Sequence, residues 1–464
     1  MCRAANSEVP AAFSLDLVIH WEMMQVNKLL QYSAAALLLG VGATGVAMAD
    51  SASTSGGLKI KTDDGKFEFG IGGRLQLDTV IFDDDKLAAL GLQPNGQAIP
   101  TPNPTGLSSG TTSGTFFRRT YLTLTGKLYD FKFKFENDFS AGASPASFRE
   151  VWIGHQVLGG DLIVGQHKPF RGIEELTSSN EILLLERPFT NNVLFASGGN
   201  RQFQPGVFYK LPINTDFGYF FAQASVYNAN HALGTPPGQG FGTSERLTWL
   251  IVGTDNLKLH LGVWGGEDEF SKTASGNQSV NYAGRNSGGS QVIGVSQLIA
   301  PSLLGSQETF YGAEAAAAWG SAFVQSEWAR ATYQDARGPG LDDSLVSWYV
   351  QGSYFITGEK KVYKKDRGTF GSPKVNSPYG AVEIVGRYDT VHNTDRSASA
   401  GGGVCQAAAA AVIAGAECKA DQWTVGLNYY FNPAVRVLFN YVNGTNKVTD
   451  DNTASYNLRL QLAF

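Results

Sequence analysis

The side chains in this 464-residue sequence best equipped to act on another molecule are cations, and many fall at alternate positions of apolar runs. Arg74 lies in "GGRLQLD", Arg118 and Arg119 in "FFRRTYLTL" with Tyr121 just beyond, and Lys132 and Lys134 in "FKFKFENDF". Arg387 and Arg436 repeat the pattern, and Arg171 stands in "HKPFRGIEEL". A second group is contiguous: "GEKKVYKKDRGTFGSPK" carries Lys360, Lys361, Lys364, Lys365, Arg367 and Lys374 against Glu359 and Asp366. The chemistry these residues suit is anion coordination. Arginine stays charged and offers a fork of donors that matches phosphate or carboxylate oxygens. Two unit charges 4 Å apart gain about 4 kcal/mol at an effective dielectric of about 20. That offsets part of the dehydration of an ion in a narrow passage. Several moderate sites in series let the ion leave as well as enter. Each cation also has a plainer reading, a wet ion pair with Glu136, Asp138, Glu383 or Asp389, and the contiguous run reads equally as a solvated face.

Bond-making machinery is not evident. The sequence has no Gly-x-Ser-x-Gly elbow, no P-loop and no His-Glu-x-x-His. His155, His167, His231, His260 and His392 are scattered, and the spacing of Cys405 and Cys418 suits no common zinc site. No catalytic residue, metal or cofactor is expected. Lys and Arg total 36 against 41 Asp and Glu, which gives no expectation of nucleic-acid binding.

The cations need elements to hold them, and the elements read as strands. In "SYNLRLQLAF" Tyr456, Leu458, Leu460, Leu462 and Phe464 alternate with Asn457, Arg459 and Gln461, a period of two. Similar runs start near residues 67, 115, 131, 148, 161, 205, 216, 244, 257, 311, 322, 345, 381, 422, 434 and 455. A soluble sandwich would bury the apolar face, whereas an outer-membrane barrel turns it to lipid and keeps the polar face wet. Charges in mid-strand, always on the polar face, with aromatics near strand ends, point to the barrel. The expected fold is all-β, a 16-stranded antiparallel transmembrane barrel. Its connections alternate between short turns and long loops, the long ones at 83–114, 228–243, 265–310 and 392–421. Residues 167–204 are too apolar for a flexible external loop; they are expected to fold into the barrel as a constriction, with "SSNEILLLER" as a short helix. On a regular strand only one of Arg118 and Arg119 faces the lumen. Arg119 is the one in phase with Tyr121, and Arg118 points to lipid unless a bulge or the strand end redirects it.

Lys28 followed by "LLQYSAAALLLGVGATGVAMA" has the form of an export signal, so residues 1–49 are expected to be removed and 50–464 to form the barrel. Residues 1–23 fit neither part, which makes Met24 the expected start. Export exposes the chain to oxidant, so a loop disulfide between Cys405 and Cys418 is expected, two free thiols being the alternative.

Taken together, "GGRLQLD", "FFRRTYLTLTGKLYDFKFKFENDF", "VGQHKPFRGIEELTSS", "LLLERPF", "ITGEKKVYK" and "LRLQLAF" make the chain resemble the phosphate-selective porin O and P family. The resemblance implies a homotrimeric outer-membrane channel for small anions, phosphate or pyrophosphate and polyphosphate above all, in contact with outer-membrane lipid. It also implies inward folding of the third loop and of the basic turn. Arg74, Arg118, Arg119, Tyr121 and Lys132 match the family's lumen residues, and Lys360, Lys361, Lys364 and Lys365 its lysine-bearing turn. Phe464 is similar to the terminal aromatic read by the barrel-assembly machinery. Three positions depart from the family: Glu175 where phosphate-specific members carry lysine, Arg149 where an acid is expected, and Lys168 in place of an aromatic. Glu175 speaks for a weakly selective diffusion pore. More distant alternatives are a barrel enzyme with Ser and His on its rim, and a surface-binding barrel whose loops carry the function.

Overall fold

The computed structural model describes residues 51–53, 57–82, 114–141, 148–191, 202–229, 240–269, 279–280, 303–304, 307–335, 340–375, 377–397, 415–447 and 451–464. Sixteen long strands follow one another: β1 (Phe67–Phe82), β2 (Gly114–Leu128), β3 (Phe131–Asp138), β4 (Phe148–Val157), β5 (Gly160–His167), β6 (Gln204–Thr215), β7 (Gly218–Tyr227), β8 (Phe241–Gly253), β9 (Leu257–Glu269), β10 (Gln307–Trp319), β11 (Ala322–Tyr333), β12 (Asp343–Phe355), β13 (Ala381–Ser397), β14 (Glu417–Tyr430), β15 (Val435–Asn446) and β16 (Asp451–Ala463). Each pairs antiparallel with its neighbours in sequence, and β16 returns to β1 with Arg459 opposite Asp78 and Leu460 opposite Leu77. Closure satisfies the backbone N–H and C=O groups that an open sheet would leave bare in hydrocarbon. The strand starts fall within a few residues of those read from alternation, because a period of two is the one pattern that a two-faced wall imposes.

The alternation is inside out. Along β16, Tyr456, Leu458, Leu460 and Leu462 are exposed while Asn457, Arg459 and Gln461 are buried. Large apolar side chains crowd the tight-turn end, with Tyr129, Phe131, Leu158, Phe217, Trp319 and Phe431 all exposed there, as an interfacial girdle requires. At that end β4 and β5 are joined by Leu158 and Gly159 alone, with φ of 50° and 81°. Positive φ at both central residues matches the right-handed twist of the strands it joins.

Two irregularities shape the interior. Between β1 and β2, Gln76 faces Arg119 but the next residue, Leu77, faces Phe117, so Arg118 is an extra residue in a bulge. The only helix among the described residues longer than three residues is α1 (Ile173–Leu176). "SSNEILLLER" is not a helix, contrary to expectation. The buried face is also less wet than a plain alternation implies. Ile173, Leu183, Leu184, Ala316, Ala318, Phe323, Phe370 and Val385 form one apolar cluster, with Tyr363 packed against it. The cluster joins the segment after β5 to a small hairpin, Val362–Lys364 with Thr369–Gly371, in the connection between β12 and β13.

The seam should be sensitive to one pair. Arg459 donates Nε and Nη2 to the two carboxylate oxygens of Asp78, each at 2.7 Å, and both residues are fully buried. Removing one partner of such a pair costs about 3 kcal/mol. Asp78→Ala should therefore lower the urea unfolding midpoint of the detergent-folded protein, and adding Arg459→Leu should restore part of it. Coincident midpoints for wild type and Asp78→Ala would mean that water already replaces the pair.

Candidate functional site

After β5 the chain runs along the buried face of the wall, and wall side chains take up its backbone groups. Phe170 N donates to Ser244 Oγ at 2.7 Å. The Arg171 guanidinium pairs with Asp268 at 2.7 Å, reaches the Tyr227 hydroxyl and lies 3.8 Å from the centre of the Phe310 ring. Ile173 N and Glu174 N donate to the Glu327 carboxylate at 2.8 and 3.1 Å. Gly172, with φ of 66°, lets the chain pass so close to Glu327 that a Cβ would collide with it.

Further along, Leu185 N donates to Asn440 Oδ1 at 2.9 Å. The carbonyls of Leu183, Leu185 and Glu186 accept from Asn428, Arg459 and Arg387 at 2.9, 2.7 and 2.8 Å. These bonds explain the missing helix. Amides and guanidiniums of the wall occupy groups that an i to i−4 ladder would use, and tertiary contacts override a weak local propensity.

Glu186 is the busiest residue of the segment. Its carboxylate meets Arg118 at 2.6 and 3.1 Å, Arg459 at 3.2 Å and Arg119 at 3.9 Å. The bulge thus brings both adjacent arginines to one face. Arg119 also donates to Gln76 Oε1 at 2.8 Å. Nearby, Arg74 donates to Ser179 Oγ at 2.6 Å and to Glu136 at 3.3 Å, and lies 4.5 Å from the Tyr121 ring centre. Lys134 pairs with Glu150 at 2.7 Å and Glu136 at 3.6 Å. Lys132 pairs with Asp161 at 3.0 Å at the more exposed side of the same group.

Lys168, Glu175 and Arg149 each stand in an ion pair. Lys168 Nζ lies 2.9 Å from Glu175, whose carboxylate also meets Arg187 at 3.6 Å and accepts from Asn191 and Gln202. Arg149 pairs with Asp138 at 2.7 Å. The charge of Glu175 is therefore answered on the spot by Lys168.

The basic connection between β12 and β13 is gripped from two sides. Arg246 donates to the carbonyls of Arg367 and Gly368 at 3.0 and 2.7 Å while paired with Glu314. The Tyr363 hydroxyl lies 2.8 Å from His260 Nδ1. Lys361 is buried against Glu383 at 2.8 Å. Lys360 pairs at the rim with Asp255, 2.8 Å away, and that hydrogen bond holds the Asp255 carboxyl below the usual range. Lys365 sits 5.0 Å from the Tyr219 ring centre. Lys364 and Arg367 each approach Glu181 at 3.6 Å, which ties the hairpin to the segment after β5.

Between these parts lie two cavities, of about 360 and about 730 Å³, which share Arg74, Lys134, Glu136, Ser178 and Arg367 in their walls. Eight lysines and arginines line the first, Lys210 among them, against Glu136, Glu150, Asp161 and Asp366. Seven line the second, against Glu136 and Glu181. The chain carries a formal net charge of −5, so this local excess of positive charge is a matter of placement. Sequence reasoning singled out Arg74, Arg119, Tyr121, Lys132 and Lys134, and all five line the first cavity. It assigned no role to Glu181, Glu186, Lys210 or Arg246. Alternation alone puts Arg246 on the polar face with Ser244 and Thr248, whereas the partners of Glu186 are visible only in three dimensions. Phe464 continues the seam, its N–H bonded to Gly73 O at 3.1 Å and its carbonyl accepting from Gly73 N at 2.8 Å. Cys418 is buried at the start of β14, and Cys405 lies outside the described residues, as do residues 1–49.

The family described as phosphate-selective porin O and P matches residues 105–464. Over 471 residues the chain is 27% identical to Porin O of Pseudomonas aeruginosa, covering 94% of this chain and 99% of that one. Among solved structures it is similar to in-vitro folded OmpT, an outer membrane protein of Vibrio cholerae, in its trimer form. The TM-score is 0.50 at 12% identity, over 86% of this chain and 99% of that chain, a likeness of fold.

Glu186 gives the site a test. In Glu186→Ala three arginines lose a shared carboxylate and the segment around Arg187 loses its main tie to the wall. Chymotrypsin should then cut after Phe189, which is fully buried in the intact protein, at least about tenfold faster in detergent, the equivalent of roughly 1.4 kcal/mol of local opening. An unchanged cleavage rate would show that the backbone bonds hold the segment without the carboxylate.

Proposed function

The chain belongs to the phosphate-selective porin O and P family, a barrel porin of the bacterial outer membrane, and from that premise we propose that it passes small anions passively, phosphate or pyrophosphate first. The observation that carries the reading is the positive balance of both cavity walls in a chain of net negative charge. A phosphate ion entering between Arg74, Lys134 and Arg367 exchanges part of its water for charged donors. Most of these cations keep a carboxylate at hand, so no one site is deep enough to trap the ion. No bond is made or broken, and no cofactor enters the reading.

The finer parts of the proposal rest on the contacts. Residues 167–204 act as the inward-folded third loop that narrows the passage, and the connection between β12 and β13 as a second, basic constriction. Arg74, Arg118, Arg119, Tyr121, Lys132, Arg171, Lys360, Lys361, Lys364 and Lys365 are the proposed pore-lining set. Within it, Arg171 and Lys361 serve by anchoring these elements, since each is buried in an ion pair. The homotrimer, the signal at 1–49, the Cys405–Cys418 disulfide and the role of Phe464 in assembly complete the proposal. A weakly selective pore is the competing reading, favoured by Glu136, which stands within 3.6 Å of both Arg74 and Lys134.

Reversal potentials under a salt gradient in a planar bilayer separate the two. Anion preference is expected, with phosphate reducing chloride current; cation preference would refute the anion channel, and indifference to phosphate would remove phosphate as its favoured solute. Glu181→Gln removes the carboxylate facing Lys364 and Arg367 and should raise anion preference. Lys364→Glu with Lys365→Glu should lower it. Identical reversal potentials in all three proteins would return the basic run to a merely solvated face.

A further inference from the structure

The smaller cavity holds more than cations. Tyr121, Trp152, Phe170 and Phe203 also line it. Three of these rings stand beside a cation: Arg74 lies 4.5 Å from the Tyr121 centre, Lys168 5.4 Å from that of Phe203, and Lys210 5.7 Å from that of Phe170. Trp152 continues the row through His167, whose ring centre is 6.5 Å from its own and 5.7 Å from that of Phe170. Lys210 has His167 Nε2 at 3.0 Å and, among the described residues, no carboxylate within ion-pair distance. Apolar side chains have ample use on the outside of this barrel, where lipid meets them. In an aqueous passage they gain nothing from an inorganic ion, which has no apolar surface to bury.

The volume points the same way. About 360 Å³ lies within the range of pockets that hold whole small molecules. A wall that repeats ring and cation side by side fits a solute that has both a flat apolar body and an anionic head. The head would sit at Lys210 or Lys168 and the body against Trp152 and Phe203, stacked or edge-on as aromatic pairs prefer.

We infer that this cavity is a binding site for organic anions bearing an aromatic ring, aryl phosphates, phosphonates or carboxylates, as they cross the barrel. The inference rests on the anion-channel reading but names a solute class that the reading does not contain. Its physical content is a difference. Phosphate and an aryl phosphonate offer similar heads, and the second alone gains from the rings, by about tenfold in affinity for one good aromatic contact.

The test uses the full-length protein in planar bilayers, with chloride current blocked by inorganic phosphate or by phenylphosphonate. The quantity read is the ratio of the two half-blocking concentrations. In the wild type phenylphosphonate should block at about tenfold lower concentration. Trp152→Ala should bring the ratio near one, and Trp152→Phe should keep most of it. Phe203→Leu, which keeps apolar volume but not the ring, serves as the second variant should Trp152→Ala fail to fold into a barrel. Equal block of the wild type by both compounds would overturn the inference and leave the anion channel standing. A ratio unmoved by both Trp152→Ala and Phe203→Leu would overturn it as well. Block by phenylphosphonate with none by phosphate would uphold the inference and remove phosphate as the favoured solute. Absence of block by either would remove both readings.

Discussion

A sheet closed on itself in hydrocarbon can place charged side chains only on its inner surface, and the organisation of this protein derives from that constraint. The sixteen strands send Arg, Lys, Asp and Glu inward at alternate positions, and their charges then need company. Part comes from across the wall, as with Asp78 and Arg459 on the closing strands. Part comes from chain that is not strand at all. Glu186 meets three arginines of β2 and β16, Glu175 meets Lys168 and Arg187, and wall amides hold the backbone between them. The segment after β5 is shaped by the wall as a ligand is shaped by its site.

The same constraint sets how far the sequence could be read. A period of two survives any tertiary detail, so the strand count and the division into an exposed apolar and a buried polar face were legible. Pairings between distant residues were not. "SSNEILLLER" has the composition of a helix, but its carbonyls go to Asn428, Arg459 and Arg387, which lie more than 200 positions away. Arg118 reads as lipid-facing on a regular strand, and one extra residue in the register turns it to Glu186. Glu175 reads as a bare negative charge until Lys168, seven residues earlier, is seen beside it.

Electrostatically the interior is balanced but not neutral. Carboxylates such as Glu136, Glu150 and Glu181 stand within reach of the cations, which keeps the desolvation cost of each buried charge bearable. The cations nevertheless outnumber them around both cavities. Under the proposed function such an arrangement would favour passage over capture, because a visiting anion would displace a resident partner and be displaced in turn. The Arg246 grip on the basic hairpin supplies rigidity where flexibility would let the lysines drift toward bulk water.

The seam between β1 and β16 carries a consequence for biogenesis. Its central pair, Asp78 and Arg459, is 381 positions apart in sequence. Loop closure on that scale is slow and comes late in folding. Until it happens, the nascent sheet has two raw edges and a hydrocarbon-loving exterior, both prone to adhere to other copies. For a chain built this way, the zip that ends its vulnerability is the last one it makes.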